Sequence, residues 1–412
     1  ISAGGAITSV AQAYTNGYAC YVNFTTTGGS WMVAVNGTDD MVYTNGSTWT
    51  VLASFAINGG GTLLTKDISN INSFKRSLYY IEKNSMSFFY LPIDSITGTV
   101  SEFPIGALFT KGGKLVAMGT WTIDGATGQD DYSVFITDQG QAAVYQGTDP
   151  SSTTTWALKG IYDLSPPIGL KCFCKFGGDL LVLTQRGLFS LTRILLDKRQ
   201  NENAALSDAI GEAFTQAARI NGAQEGWEVV EYPSYNALVC NIPQASYGIV
   251  HQYVMNTKTG AWCRFKGWDG YSFTFYNNNL YMGMAGKVGQ AFVPGNDFDA
   301  SITAEAKGAF NYYTPRSRLK SWKLLRPMLT IGGTVAVNVA LDTDFSDVPE
   351  YGAAVFNLTA ESRWDAATWG NDKWSAEQAP RNEWVTVAAK DSYCAAVRLR
   401  AIARSSTISW SA

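Results

Sequence analysis

Reactive and ionisable residues are scarce in this sequence. Its 412 residues include one histidine, His251, and only 16% of them are charged. A single histidine excludes a metal site built from several imidazoles, and a Ser-His-Asp triad would have to use His251 itself. The Gly-x-Ser-x-Gly, Gly-x-Gly-x-x-Gly and Walker patterns are also absent. The sequence therefore offers no catalytic, cofactor-binding or metal-binding residue, and we expect a protein that is not an enzyme.

The low charge also limits the partners of the chain. A formal net charge of −3 gives no bulk electrostatic attraction for nucleic acid. The apolar fraction is 46% and the aromatic fraction 13%, which is enough for a large core and for extensive contact surfaces. This balance favours a homo-oligomer or a subunit of a larger assembly.

Two further absences concern cysteine and long apolar runs. None of the six cysteines forms a Cys-x-x-Cys pair, and no signal peptide or 18-residue apolar run occurs, so no membrane span is predicted. Cys172 and Cys174 lie two positions apart on a predicted strand, without the histidine or second cysteine pair that a metal site needs. We expect buried free thiols and synthesis in a reducing compartment.

A short pattern returns along the chain: an aromatic residue stands four positions before a leucine, with turn-forming residues between them and an apolar strand after them. The clear copies are Phe74 to Leu78, Phe176 to Leu180 and Tyr276 to Leu280, and weaker ones are Tyr14 to Tyr18 and Phe109 to Leu115. Repetition at tens of residues indicates a circular or stacked fold. Anchors near positions 14, 74, 109, 176, 235 and 276 predict an all-β fold, a β-propeller of about six blades, over residues 1–300.

Two segments depart from this pattern. The apolar spacing of Leu206, Ile210, Phe214 and Ala218 predicts one amphipathic helix over about 197–220, inserted between blades. Residues 301–412 carry alternating strands and a tryptophan-rich region, which predicts a β-sandwich-like C-terminal domain. Its last strand, Thr407 to Trp410, has an alternative role as a strand that closes the propeller ring.

Three weaker motifs favour structure over chemistry. The pairs Asp39-Asp40 and Asp130-Asp131 are adjacent on strands, so their side chains point to opposite faces and cannot act together as acid and base. The acidic and glycine residues over 124–131 do not match an EF-hand loop. The segments Asn45 to Trp49 and Asn256 to Trp262 are near misses of the turn that marks sialidases, and they lack its aspartate.

The C-terminal domain contains the predicted interface residues. The segment 315–327 has five positive charges and no negative one. If it is a strand, positions 316, 318 and 320 share one face, which is solvated, pairs with an acidic partner or contacts phosphates of passing DNA. The possible interface or channel residues are Arg316, Arg318, Lys320, Lys323, Arg326, Trp364, Trp369 and Trp374.

Five segments of the chain together carry a family resemblance: Asp131 to Pro150, Trp156 to Tyr162, Pro167 to Phe173, Phe176 to Thr184 and Tyr253 to Phe265. They resemble structural proteins of tailed bacteriophages, and the closest type is the propeller-bearing tail nozzle, or tail tubular protein B, of short-tailed phages. The resemblance covers about residues 70–300 and, more faintly, the C-terminal part.

The resemblance implies a virion protein assembled in the host cytoplasm. It would form a homo-hexameric ring below the portal and adaptor rings, continue the DNA-ejection channel without reading the DNA sequence, and hold tail fibres or spikes. Two rival hypotheses stay open. A receptor-recognising propeller that binds glycan would show several exposed Trp or Tyr on one face, and a propeller glycosidase or depolymerase would need two facing carboxylates in a central pocket.

Overall fold

The computed structural model describes most of the chain, and it divides into the units Ile1–Ala291 and Phe292–Ala412. About 53% of the residues are in strands and 8% in helices. The predicted boundary at residue 300 lies inside the second unit. The residues described are 13–125, 128–197, 205–244, 250–293, 297, 300–332, 335–347, 356–357, 379–382, 384–387, 389, 391–404 and 406–411.

The first unit is a β-propeller whose described residues form six sheets in chain order. Each blade is an antiparallel meander that begins with its innermost strand. The first blade contains β1 (Cys20–Thr26), β2 (Gly29–Val35), β3 (Met41–Thr44) and β4 (Trp49–Leu52). A hairpin of β5 (Ser54–Ile57) and β6 (Thr62–Leu64) follows it. The second blade contains β7 (Ile68–Phe74), β8 (Ser77–Glu82), β9 (Ser87–Tyr90) and β10 (Thr99–Pro104). Because β5 pairs in parallel with β10, the hairpin extends the outer edge of the second blade.

The remaining blades follow the same order. The third blade contains β11 (Leu115–Gly125), β12 (Gly128–Thr137), β13 (Gln141–Gln146) and β14 (Ala157–Asp163). The fourth contains β15 (Phe173–Phe176), β16 (Asp179–Thr184) and β17 (Gly187–Ser190). The fifth contains β18 (Glu228–Tyr232), β19 (Ala237–Ile242), β20 (His251–Asn256) and β21 (Trp262–Lys266). The sixth contains β22 (Ser272–Tyr276), β23 (Asn279–Met284) and β24 (Lys287–Gln290).

Neighbouring innermost strands are joined by polar contacts, and these contacts close the ring. Asn72 of β7 donates from Nδ2 to the carbonyl of Met118 on β11, at 2.8 Å. The hydroxyls of Tyr21 on β1 and Thr274 on β22 are hydrogen-bonded at 2.5 Å, which connects the first blade to the sixth. The innermost strands therefore surround the propeller axis.

The aromatic-to-leucine pattern marks the first hairpin of alternate blades. Leu78, Leu180 and Leu280 begin or lie in the second strands of the second, fourth and sixth blades and are almost fully buried. The two-residue turns at 75–76 and 277–278 have positive φ at both positions, the type I′ geometry that suits a twisted hairpin. The three clear copies of the pattern were therefore predicted correctly.

The two weaker copies were wrong. Tyr14 and Tyr18 precede β1, and the segment from Phe109 leads into β11, so neither lies in a hairpin. The anchor near 235 is correct, because Tyr235 lies in the connection between β18 and β19. A short aromatic spacing alone does not distinguish a turn inside a blade from a connection between blades.

The predicted helix over 197–220 is replaced by two shorter α-helices in the described residues, α1 (Leu191–Asp197) and α2 (Gly211–Asn221). Short 3-10 helices occur at Thr65–Asp67, Gly106–Leu108, Asp208–Ile210 and Pro233–Tyr235. The prediction was wrong over residues 205–210, because Ala205 bridges Phe189 at the edge of the fourth blade and the Ser207 hydroxyl accepts the N–H of Leu188; residues 198–204 lie outside the described residues. None of the described helices is long and apolar enough to cross a membrane.

The second unit is a β-sandwich of two main sheets. One sheet contains β25 (Ile302–Lys307), β28 (Val335–Thr343), β29 (Phe356–Asn357) and β32 (Ala395–Ala403). The other contains β27 (Met328–Gly332), β30 (Ala379–Arg381) and β33 (Thr407–Ser411), and β26 (Leu324–Leu325) pairs separately with β31 (Val385–Thr386). Leu329, Ile331, Val337 and Leu399 belong to the core of this unit. Because β33 pairs with β27, the alternative that the last strand closes the propeller ring was wrong.

Candidate functional site

A central cavity of about 730 Å³ is the candidate site of the propeller. The innermost strand of every blade contributes to its wall, because these strands converge on the propeller axis. Residues that represent the six blades in the wall are Cys20, Asn70, Ala117, Cys174, Glu228 and Phe273. Pockets of this size, lined by apolar groups with a few polar ones, are typical ligand sites.

A buried ion pair lies at the end of the cavity where the innermost strands begin. Lys171 Nζ lies 3.3 Å from Oε1 of Glu228 and 5.0 Å from the ring centroid of Tyr18. Glu228 Oε2 also accepts the backbone N–H of Phe273 at 3.0 Å. Burial raises the pKa of Glu228, although Lys171 and the N–H of Phe273 oppose this. The pair joins the connection before the fourth blade to the fifth and sixth blades.

The other polar groups at this end are also occupied. Asn70 Nδ2 donates to the carbonyl of Leu170 at 3.1 Å, and its Oδ1 accepts the N–H of Met118 at 3.2 Å. Burial raises the pKa of Cys20 to about 11 and that of Cys172 to about 12, so both thiols stay protonated at neutral pH. A protonated thiol is a poor nucleophile. The side chains at this end of the cavity therefore hold neighbouring blades together.

Aromatic side chains lie around the cavity, mostly at its opposite end, where the innermost strands end. Tyr21 and Phe275 line it and are 41% and 45% exposed. The ring of Phe275 lies 5.7 Å from that of Tyr232, which lies 5.2 Å from that of Tyr235. We call these four side chains, from the first, fifth and sixth blades, the aromatic rim; Tyr21 and Phe275 line the cavity, Tyr235 is 44% exposed and Tyr232 is buried.

Polar side chains accompany the aromatic rim. Lys175, Glu231, Thr274 and Asn278 all line the cavity there. The amide of Asn278 donates to the hydroxyl of Ser234 at 3.2 Å. The mouth of the cavity therefore combines apolar ring faces with hydrogen-bonding groups of both kinds.

The two cavity carboxylates do not form an acid–base pair. Glu228 and Glu231 lie three positions apart on β18, so their side chains point to opposite sides of the strand. Glu228 is also held by Lys171 and by the N–H of Phe273. Among the described residues of the wall, the facing carboxylates that a glycosidase needs are not found.

The basic segment of the second unit differs from its predicted form. Residues 316–318 lie in a turn, so positions 316, 318 and 320 do not share one face of a strand, and that prediction was wrong. Lys320 Nζ donates to the carbonyls of Pro315 and Arg318, at 2.8 and 3.1 Å. These hydrogen bonds stabilise the turn and occupy the ammonium group of Lys320.

The other cations of this segment point outward. Arg316, Arg318, Lys323 and Arg326 are exposed. The guanidinium of Arg326 lies 5.5 Å from the ring centroid of Trp384, which is 63% exposed. Trp364, Trp369 and Trp374 lie outside the described residues. The interface role of this whole set stays a prediction.

The remaining sequence motifs have local contacts. His251 lies on β20 and hydrogen-bonds through Nδ1 with Gln244 at 2.8 Å. Asp39 accepts the N–H and the hydroxyl of Thr15, at 2.9 and 2.8 Å, and so anchors the chain before β1. Asp131 pairs with Lys75, and the other side chains over 124–130 lie outside those described. Cys263 is exposed, whereas the other five cysteines are buried free thiols as predicted.

Sequence reasoning missed every residue of the cavity mouth. Tyr21, Lys175, Glu231 and Phe275 are far apart in sequence and belong to four different blades. Only position in the chain could have indicated such residues. Lys175 and Phe275 lie just before a predicted hairpin turn, on the strand that a propeller places innermost.

Comparison with known proteins finds structural similarity at low identity. No protein-family model matches the chain, and no curated protein matches it. A 6-phosphogluconolactonase-like protein from Bacteroides uniformis is 10% identical, with a TM-score of 0.38 over 66% of this chain and 83% of that one. The lectin of Aleuria aurantia, solved with α-methyl-L-fucoside, is 12% identical, with a TM-score of 0.30 over 66% and 90% of the two chains.

A third similar structure is a family 43 arabinoxylan arabinofuranohydrolase from Bacillus subtilis. It is 8% identical, with a TM-score of 0.30 over 95% of this chain and 79% of that one. At these identities and scores we draw no functional conclusion from the similarity. The description of the fold rests on the strand pairing given above.

Proposed function

We propose that the propeller is a non-catalytic binding module that recognises a glycan at the aromatic rim. The observation that carries this proposal is that Tyr21 and Phe275, both partly exposed, line the central cavity beside hydrogen-bonding groups. A sugar ring has apolar C–H faces and polar hydroxyl edges. It therefore matches a site that offers both ring faces and hydrogen-bonding side chains.

The rest of the cavity supports binding over catalysis. Its buried thiols are protonated, and Glu228 is held by Lys171. By contrast, Tyr21 and Phe275 of the rim are partly exposed and lie on strands of the first and sixth blades, so a ligand can contact two rigid strands at once. Side chains held on strands give a more precise site than side chains on loops.

A binding experiment tests the proposal. The labelled chain is applied to a glycan array, and the glycans it retains are titrated against Phe275→Ala. We expect the substitution to weaken binding about tenfold, since it removes one stacking surface worth roughly 1.4 kcal/mol. Leu158→Ala, on the outer strand of the third blade and 39% exposed, is the control and should bind normally. If no glycan is retained, or if Phe275→Ala binds as well as the parent, the proposal is wrong.

We propose a second, compatible role for the second unit as an assembly surface, as expected for a tail nozzle or a tail-borne receptor module. Leu319, Leu324, Met328 and Trp384 are each at least 50% exposed. Leu319 and Leu324 lie between cations of the basic segment, Met328 follows it, and the ring of Trp384 lies against Arg326. Exposed apolar groups together with arginine, methionine and tryptophan are characteristic of protein interfaces. A measurement of the oligomeric state tests this role.

A further inference from the structure

Two charged side chains in the cavity wall make no ion pair or side-chain hydrogen bond with any other described residue. They are Lys175, at the end of β15, and Glu231, near the end of β18. The other charges near the axis are paired, Lys171 with Glu228 and Lys75 with Asp131. The unpaired charges lie on neighbouring innermost strands, because the residue bridging Glu228 in parallel is Lys171, just before β15.

The electrostatic surroundings of Lys175 favour an anion. Asp131 lies close enough for both Lys75 and Lys175 to lower its pKa, and Lys75 already forms an ion pair with it. Lys75, Lys175 and Asp131 together therefore carry a net positive charge. The carboxylate of Asp131 also accepts the hydroxyl of Thr122 at 2.9 Å.

Glu231 lies on the neighbouring innermost strand and is an acid where Lys175 is a base. It is half-buried, and burial raises the pKa of its carboxyl. A half-buried carboxyl without a partner is suited to accept hydrogen bonds from neutral donors such as sugar hydroxyls. The mouth thus offers a cation on one strand and a hydrogen-bond acceptor on the next.

We propose that the rim selects an anionic sugar, one that carries a carboxylate or a sulfate, with Lys175 contacting the anion and Glu231 accepting hydrogen bonds from hydroxyls. The inference rests on the proposed function, since it specifies the ligand class of the same site. Lys175 is in this view a specificity-determining residue, and the aromatic rim supplies affinity for any sugar that fits.

The experiment compares three oligosaccharides of equal length: a neutral hexose, the matching uronate and the matching sulfated sugar. We expect the intact chain to bind one or both anionic sugars about tenfold more tightly than the neutral one, as one charge-assisted hydrogen bond would give. Lys175→Met should remove this preference, so that the variant binds the three sugars about equally. Lys175→Arg should keep it, and Lys258→Met, an exposed lysine in a turn of the fifth blade, should have no effect.

The three sugars also separate the possible failures. Equal binding of all three sugars overturns the anionic preference and leaves the glycan-binding proposal intact. Binding to none of them overturns both. If the preference persists in Lys175→Met, another group binds the anion and the role proposed for Lys175 is wrong. Preference for the uronate alone or the sulfated sugar alone identifies the anion, and loss of that preference at high salt is expected because the contact is exposed.

Discussion

Lys171 and Glu228 show how a single pair can decide the stability of a ring of blades. The side chain of Glu228 is 9% exposed and that of Lys171 14%, so neither charge is well hydrated. A buried pair gains little over an apolar pair, but a buried charge left without its partner is costly. The pair therefore matters most when one member is removed.

Lys171→Met should destabilise the propeller in a pH-dependent way. Burial already raises the pKa of Glu228 above its usual value, and loss of the Lys171 charge raises it further. A raised folded-state pKa gives stability that is present at low pH and is lost as the pH rises through that pKa. We expect a loss of about 3–5 kcal/mol in unfolding free energy near pH 8 and a smaller loss near pH 5.

Urea unfolding at the two pH values measures this difference. Lys159→Met is the matched control, because Lys159 is exposed on β14 and the same charge is removed there without burial. It should change stability by less than about 0.5 kcal/mol at both pH values. An equal loss for Lys171→Met at both pH values would show that Glu228 does not depend on this lysine.

At the scale of secondary-structure elements, several correct predictions concern turns. Asn45 Oδ1 accepts the N–H of Ser47, and Asn256 Oδ1 accepts that of Lys258, each at 3.0 Å. Both turns lead into the outer strand of a blade, which begins with Trp49 or Trp262. The near misses of the sialidase motif are thus structural turns, as local side-chain chemistry predicts. Asp149 and Trp156 lie at the corresponding positions of the third blade. This turn was not recognised in the sequence, because a longer loop separates the two residues.

The helical segment shows where local patterns stop being sufficient. The spacing of Leu206, Ile210, Phe214 and Ala218 satisfies a helix, yet α2 begins only at Gly211. Ser207 is fully buried and its hydroxyl accepts the N–H of Leu188, a contact made across the fold. A tertiary hydrogen bond of this kind leaves no periodic signal in the sequence, so the start of the helix could not be predicted.

Phe214 should be the residue that holds α2 against the propeller. It is fully buried, 5.3 Å from the ring of Tyr253 and 6.5 Å from that of Trp262. Phe214→Ala should lower the unfolding free energy by about 3–5 kcal/mol, because it leaves a cavity among aromatic rings. Ile220→Ala on the same helix, where the side chain is 65% exposed, should cost less than about 0.5 kcal/mol.

Thermal or urea unfolding of both variants provides the comparison. Similar losses for the two substitutions would contradict the view that burial of Phe214 holds α2 against the propeller. A loss confined to Phe214→Ala would confirm that the inserted segment is part of the propeller core.

At the scale of the whole molecule, the repeated hairpins predicted the architecture. The site could not be predicted, because its residues lie far apart in the sequence. Six blades follow from hairpins that recur in order, and the sandwich follows from the alternating strands near Val335 and Ala395. The cavity mouth joins side chains from blades that are more than 200 residues apart, such as Tyr21 and Phe275. Each is an ordinary strand residue locally, and only closure of the ring brings them together.

The exposed surface of the second unit also leads to a prediction about assembly into a ring. The resemblance to tail nozzles implies a ring of six chains, and the exposed apolar and cationic groups of the second unit offer a surface for it. If that surface forms a head-to-tail interface, burial of Leu324, now 58% exposed, contributes to it. Mass photometry should then show a species of six times the 44.7 kDa of one chain.

Leu324→Asp should shift this species towards the single chain, because a charge would be desolvated at the centre of the contact. Ile93→Asp is a matched control, since Ile93 is also 58% exposed but lies in the propeller. It should leave the ring intact. A parent chain that stays at 44.7 kDa at every concentration would contradict the ring, and the glycan-binding role of the propeller would then stand without it. Disruption by Ile93→Asp alone would place the interface on the propeller, because substitution of a residue outside a contact leaves its free energy unchanged.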